Sequence, residues 1–149
     1  MLQLAIRVAR EVGQLLRERY REPHQVSVKG LRDITTEADL QAEALAIRLI
    51  REGCPEARFM TEETNATYLE DSDVPTWYVD PIDGTTNFAR GLPMFSCSIA
   101  MVRGGRTQCG VVYDPMVDQL FCAERGQGAY LDDRRLRVST REALIDCVA

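Results

Sequence analysis

Between Leu2 and about Arg21 the apolar residues Ala5, Val8, Val12, Leu15, Leu16 and Tyr20 recur at steps of three and four. That period lays one apolar stripe along a helix, so the segment is predicted to be an amphipathic helix. Pro23, which has no amide to donate, closes it. A second helix is predicted from Thr36, where Thr36-Glu37-Ala38-Asp39 sets a capping hydroxyl ahead of acids that suit the positive end of a helix dipole. Ala42, Leu45, Ala46 and Leu49 form its buried stripe, and Gly53 ends it.

After Pro55 the period changes from helical to alternating. Short runs at Arg58 to Met60, Trp77 to Val79, Phe95 to Val102, Thr107 to Tyr113, Gln119 to Ala123 and Ala129 to Leu131 read as strands. Gly104-Gly105, Asp114-Pro115, Gly126 to Gly128 and Asp132-Asp133 separate the later ones as turns, so the runs read as consecutive hairpins. Two helices followed by such strands predict an α+β domain over residues 1–149, with two N-terminal helices packed on a mostly antiparallel β-sheet.

Composition adds exclusions. Hydrophobic residues make up 45% and charged residues 28% of the 149, which suits one folded globular domain. Eighteen Lys and Arg against 23 Asp and Glu give a net charge of −5 with no long basic run, so nucleic acid is not an expected partner. The N-terminus mixes Arg7, Arg10 and Glu11 into its apolar residues, so neither a signal peptide nor a membrane span is expected there. Five scattered cysteines, Cys54, Cys97, Cys109, Cys122 and Cys147, with His24 the one histidine, speak against a disulfide framework and a zinc site and for a reducing cytoplasm. The cysteines and Met94, Met101 and Met116 are read as core residues, and His24 as a surface residue. The acidic stretch Glu63 to Pro75 lacks the ligand spacing and glycine of a calcium loop and reads as a solvated surface loop.

The chemistry concentrates in Trp77-Tyr78-Val79-Asp80-Pro81-Ile82-Asp83-Gly84-Thr85-Thr86-Asn87-Phe88, which sets two aspartates at the end of an apolar strand. Pro81 keeps Asp80 extended, Gly84 permits an unusual backbone angle or a close approach, and Thr85 or Thr86 can cap a short helix through Phe88 whose first amides face an anion. A second acid pair, Glu62-Glu63, follows the apolar run at Arg58 to Met60. Carboxylates gathered at ~4 Å repel by about 1 kcal/mol per pair in water and about 4 at an effective dielectric of 20. No Lys or Arg lies within Asp80 to Thr85 to offset this, so a divalent cation is implied. Ligands that are all oxygen point to magnesium, with manganese as a substitute. Taken alone, D-P-x-D-G reads equally as a tight turn. A turn, however, does not call for acids at Asp39 and Glu62-Glu63 as well.

Asp-Pro-Ile-Asp-Gly-Thr, preceded by Trp-x-Val, followed by Thr-Asn-Phe and lying downstream of Glu-Glu, resembles the signature of the inositol monophosphatase family. The similarity extends to Lys29 to Asp39, Gly110 to Tyr113 and Gly126 to Ala129. The resemblance implies the N-terminal half of that fold and a magnesium-dependent, lithium-sensitive type of phosphatase. Its substrate would be inositol monophosphate or a similar polyol or sugar phosphate, with histidinol phosphate an alternative. It further implies Glu62, Asp80, Asp83 and the Ile82 carbonyl as metal ligands. Gly84 and Thr85 would hold the phosphate by their amides, with Glu62, Ile82 and Asp83 also at the substrate, while the Thr85 hydroxyl, paired with Asp39, would orient a water activated by the metal. Glu63 and Lys29 belong to the rim or behind the ligands. Haloacid dehalogenase phosphatases also set aspartates before Gly-Thr, but as D-x-D-G-T. One residue more between the pair alters how a strand presents them, so a covalent aspartyl-phosphate is rejected.

Members of the family are expected to continue, past Leu144-Ile145-Asp146, into a second α/β domain carrying a further aspartate ligand and most sugar-recognising residues. Two functions are therefore weighed. One is a phosphomonoesterase, expected as a cytoplasmic homodimer. The other is a truncated, non-catalytic member that binds a partner or dimerises.

Overall fold

The computed structural model describes residues 1–22, 26–28, 34–62, 73–143 and 145. His24, Lys29, Glu63, most of the acidic stretch and Cys147 lie outside the described residues.

The first apolar stripe becomes helix α1, Leu2–Arg19, which buries Ala5, Val8, Ala9, Val12, Gly13 and Leu16. A two-stranded antiparallel ribbon follows, β1 (Val26–Val28) and β2 (Ile34–Thr36), which the hydrophobic pattern did not predict. Helix α2, Glu37–Gly53, starts where its capping residues place it. Its buried face differs from the predicted stripe. Ala42 and Ala46 are buried, but Leu45 and Leu49 are half-buried, and Glu43 and Ile50 take the inner positions.

The remaining strands form one seven-stranded sheet in chain order: β3 (Arg58–Thr61), β4 (Thr76–Asp83), β5 (Ser96–Arg103), β6 (Arg106–Asp114), β7 (Gln119–Glu124), β8 (Gly128–Leu131) and β9 (Arg134–Arg135). Every pairing from β4 onward is antiparallel. The exception corrects the reading of the runs as consecutive hairpins. β3 pairs with β4 in parallel, from Arg58 opposite Thr76 to Thr61 opposite Val79, which a tight turn cannot connect. Between β4 and β5 stands a short helix, α3 (Thr85–Ala89).

Alternation decides which sheet face the helices cover. Trp77 and Val79 of β4, Cys97, Ile99 and Met101 of β5, and Cys109, Val111 and Tyr113 of β6 are buried with the inner faces of α1 and α2. Their neighbours Tyr78, Ala100 and Val112 sit on the opposite, more open face. Cys54, Cys97 and Cys109 are buried as expected and Cys122 is half-buried. Met101 is in the core, whereas Met94 is 71% exposed in the loop after α3, contrary to the reading of it as a core residue. Among the described residues, no helix is long and apolar enough to cross a membrane.

Gly13 sets how closely α1 approaches the sheet. A Cβ at this position would stand 2.4 Å from Cε1 of Tyr113. Gly13→Ala should therefore destabilise the fold by about 1–3 kcal/mol of overpacking, outweighing the ~1 kcal/mol that alanine adds to a helix. A urea melt checks the sign.

Candidate metal and phosphate site

The parallel pairing of β3 with β4 brings the C-terminal ends of two strands side by side. Thr61 is opposite Val79, so the next residues, Glu62 and Asp80, emerge at the same edge of adjacent strands about 4.8 Å apart. Asp83 joins them through an irregularity in β4. Asp80 pairs with Ser98 and Asp83 with Ser96, so three steps along β4 match two along β5. That extra residue is a β-bulge spanning Pro81 and Ile82. In a regular strand, side chains three apart point to opposite faces. The bulge absorbs one residue and lets the Asp-x-x-Asp pair share one cleft. Pro81, with no amide to give to the ladder, suits a bulge.

The cleft has a volume of about 300 Å³, and Glu62, Asp80, Ile82, Asp83, Gly84 and Thr85 all line it. Ile34, which the sequence did not single out, completes its wall together with Thr86 and Asn87, which the sequence marked only as a possible cap and as part of the Thr-Asn-Phe signature. Asn87 also braces the wall, because its Nδ2 donates to the Met94 carbonyl at 2.8 Å and ties α3 to the following loop. Gly84 is the N-cap of α3 at φ 100°, a left-handed conformation that favours glycine. A Cβ there would also stand 3.0 Å from the Met94 carbonyl oxygen. The expected cap at Thr85 or Thr86 is thereby corrected: Gly84 holds the cap position and Thr85 is the first helical residue, its hydroxyl turned elsewhere.

That hydroxyl lies 3.0 Å from Oδ1 of Asp39 and 2.9 Å from the Ile82 carbonyl oxygen. It has one proton for two acceptors, and a carboxylate is the stronger one. Asp39 itself is 3% exposed and does not line the cleft. Its Oδ2 accepts from both the amide and the hydroxyl of Thr36, the capping box that starts α2. One carboxylate thus fixes the start of α2 and, through Thr85, reaches the cleft.

Asp80 has an Oδ1 that is buried and, among the described residues, has no hydrogen-bond partner. Burial pushes its carboxyl above the ordinary carboxylate range, the charges of Asp83 and Asp39 add to this, and the Ile82 amide opposes it. An orphaned buried oxygen among oxygen donors fits a hard divalent cation. The acids line the cleft without closing on a point. Among the described residues, no group of three or more His, Cys, Asp or Glu is gathered as a ready-made metal cluster.

The raised pKa has a consequence for stability. A carboxyl whose folded pKa lies above its unfolded value stabilises the fold below the unfolded pKa, and that contribution is lost as pH rises through the folded pKa. In chelator, Asp80→Asn should therefore be no less stable than the parent at pH 7, and its relative advantage should shrink on acidification toward pH 4. Urea melts at the two pH values check this.

A seven-stranded sheet under two helices, with a carboxylate cleft on a bulged Asp-x-x-Asp-Gly-Thr strand end, defines the class. The profile of the inositol monophosphatase family matches residues 1–148, and the chain belongs to that family. The protein named Nus factor SuhB of Pasteurella multocida is 45% identical over 99% of this chain and 56% of its own length. Inositol-1-monophosphatase of Mesorhizobium japonicum is 41% identical over 99% of this chain and 56% of that protein. The crystal structure of the extragenic suppressor protein suhB from Bartonella henselae superposes with a TM-score of 0.88 at 41% identity, covering 97% of this chain and 56% of that one. The chain spans about half the length of the curated relatives it matches.

Proposed function

We propose that the chain carries the metal- and phosphate-binding half of a phosphomonoesterase acting on inositol monophosphate or a similar polyol or sugar phosphate. The observation that carries this reading is the bulge that turns Asp80 and Asp83 into one cleft with Glu62, beside Gly84 and Thr85. Glu62, Asp80, Asp83 and the Ile82 carbonyl would hold magnesium, with manganese as a substitute. When bound, the cation neutralises charge developing on the phosphate and acidifies an attacking water. The first amides of α3, at Gly84 and Thr85, have no acceptor within their own helix and are available to phosphate oxygens. Asp39 draws the Thr85 proton toward itself, which leaves the Thr85 oxygen as an acceptor that can orient a water in line with the phosphorus. Thr36 holds Asp39 in the position this requires.

The test is phosphate release from inositol monophosphate and histidinol phosphate with magnesium and with chelator. It is run on the chain alone and on the chain fused to the C-terminal half of the Mesorhizobium relative. Magnesium-dependent release by the fusion supports the proposal, and a fusion that folds but releases nothing from either substrate rejects it. A second reading, a non-catalytic partner-binding member, draws on relatives that carry the name Nus factor rather than that of a reaction. It predicts the silent outcome.

A further inference from the structure

Helix α1 carries a second pattern besides its buried stripe. Arg7, Arg10, Gln14 and Arg17, with Arg21 just beyond the helix end, follow one another at steps of three, four, three and four. That spacing runs them as one seam along the helix, roughly 15 Å from Arg7 to Arg17 at 1.5 Å per residue. All five are exposed. Among the described residues, the four arginines make no ion pair, whereas Arg19, off the seam, is paired with Glu22. Unpaired guanidinium groups in a row are unexpected in a chain of net charge −5.

Beside the seam is a cleft of about 540 Å³ between α1 and the turn joining β6 to β7, lined by Arg10, Gln14, Arg17, Glu18, Tyr113 and Asp118. None of these residues lines the carboxylate cleft. The turn side is braced. Asp114 Oδ1 accepts the amides of Met116 and Val117, and the Tyr113 hydroxyl donates to Asp118 Oδ1 at 2.8 Å. Burial and the Asp118 charge push the Tyr113 phenol up to about 12, so it stays a neutral donor. On the α1 side, Gln14 is engaged with Glu18. Arg10 and Arg17 face the cleft together with Glu18 and Asp118, which accept from Gln14 and Tyr113, and Val117, 61% exposed, precedes Asp118 on the turn.

We infer that this seam and cleft dock an acidic segment of another protein, its carboxylates on Arg7, Arg10, Arg17 and Arg21 and an apolar side chain against Val117. Guanidinium groups pair carboxylates by two parallel hydrogen bonds, and the three-four spacing matches the period of a helix laid along α1. A nucleic-acid strand fits less well. Among the described residues lining the cleft the one aromatic ring, Tyr113, is 6% exposed and closed to base stacking.

The experiment is fluorescence anisotropy of the full chain with three labelled probes of equal length: a Glu/Leu peptide, its Gln/Leu counterpart and a single-stranded RNA. The Glu/Leu peptide should bind at least tenfold tighter than the other two and weaken as salt is raised. Arg10→Glu with Arg17→Glu should reduce that affinity at least tenfold, Arg10→Gln with Arg17→Gln less so, and Arg19→Glu should leave it unchanged. Thermal melts confirm that the variants fold, and the milder glutamine pair serves if the reversal pair does not. Asp80→Asn should not alter peptide binding, which separates this inference from the phosphatase reading. Equal binding of the two peptides, tighter binding of RNA, or indifference of a folded arginine variant overturns it.

Discussion

Asp83→Asn is expected to remove magnesium-dependent phosphate release from the fused protein by at least about a hundredfold, with an unchanged circular dichroism spectrum. Outer partners of metal ligands already account for about 10–100-fold when mutated, and a ligand itself should account for more. The fold should not suffer. Asp83 is exposed at the end of β4, and an amide of the same shape removes one charge from the crowded cleft that contains Asp80 and Glu62. A folded Asp83→Asn protein that keeps most of its rate would detach Asp83 from the chemistry.

The largest effect on stability is expected at Trp77. Its side chain is fully buried and lies on the sheet face covered by the helices. Truncation to alanine should cost about 3–5 kcal/mol, part of it lost transfer energy and part the cavity left behind. That is a large share of the ~5–15 kcal/mol that holds a typical domain folded. Urea denaturation of Trp77→Ala measures it, and a loss below about 1 kcal/mol would mean that this region collapses around the void or is not the centre of the core.

How far the sequence reveals this fold depends on the range of the interaction concerned. Local signals were legible: the stripe of Val8, Val12 and Leu16 located α1, and Thr36 with Asp39 marked the start of α2 because a cap is a contact across three residues. Turn residues such as Gly104-Gly105 gave the antiparallel hairpins for the same reason. The parallel partnership of β3 and β4 was not legible, since the register of Thr61 with Val79 joins strands separated by a long connection. Glu43 shows a limit of another kind. Its charge marks it as a surface residue, yet the helix turns it inward, where Leu45 and Leu49 were expected.

The site divides along the same line. Resemblance named the six residues that now line one cleft and paired Asp39 with Thr85, and the geometry brings all of these together. What the letters did not carry is the device that does it. Asp-x-x-Asp on a regular strand would point its two carboxylates apart, and only the offset between Ser98 and Ser96 shows that a bulge turns them together. Pro81 was the available clue, because a residue without an amide interrupts a ladder. The α1 seam was equally present in the letters, but its importance appears only once the arginines are seen to lack ion-pair partners among the described residues.

If Glu62, Asp80 and Asp83 form one site for a hard divalent cation, calorimetric titration of the chain with manganese and zinc will show it. Saturable manganese binding is expected. Binding should be lost in Asp80→Asn, and zinc should bind no more tightly than manganese, since every proposed ligand is oxygen. Tight zinc binding with none for manganese, or manganese binding that Asp80→Asn leaves untouched, would contradict it.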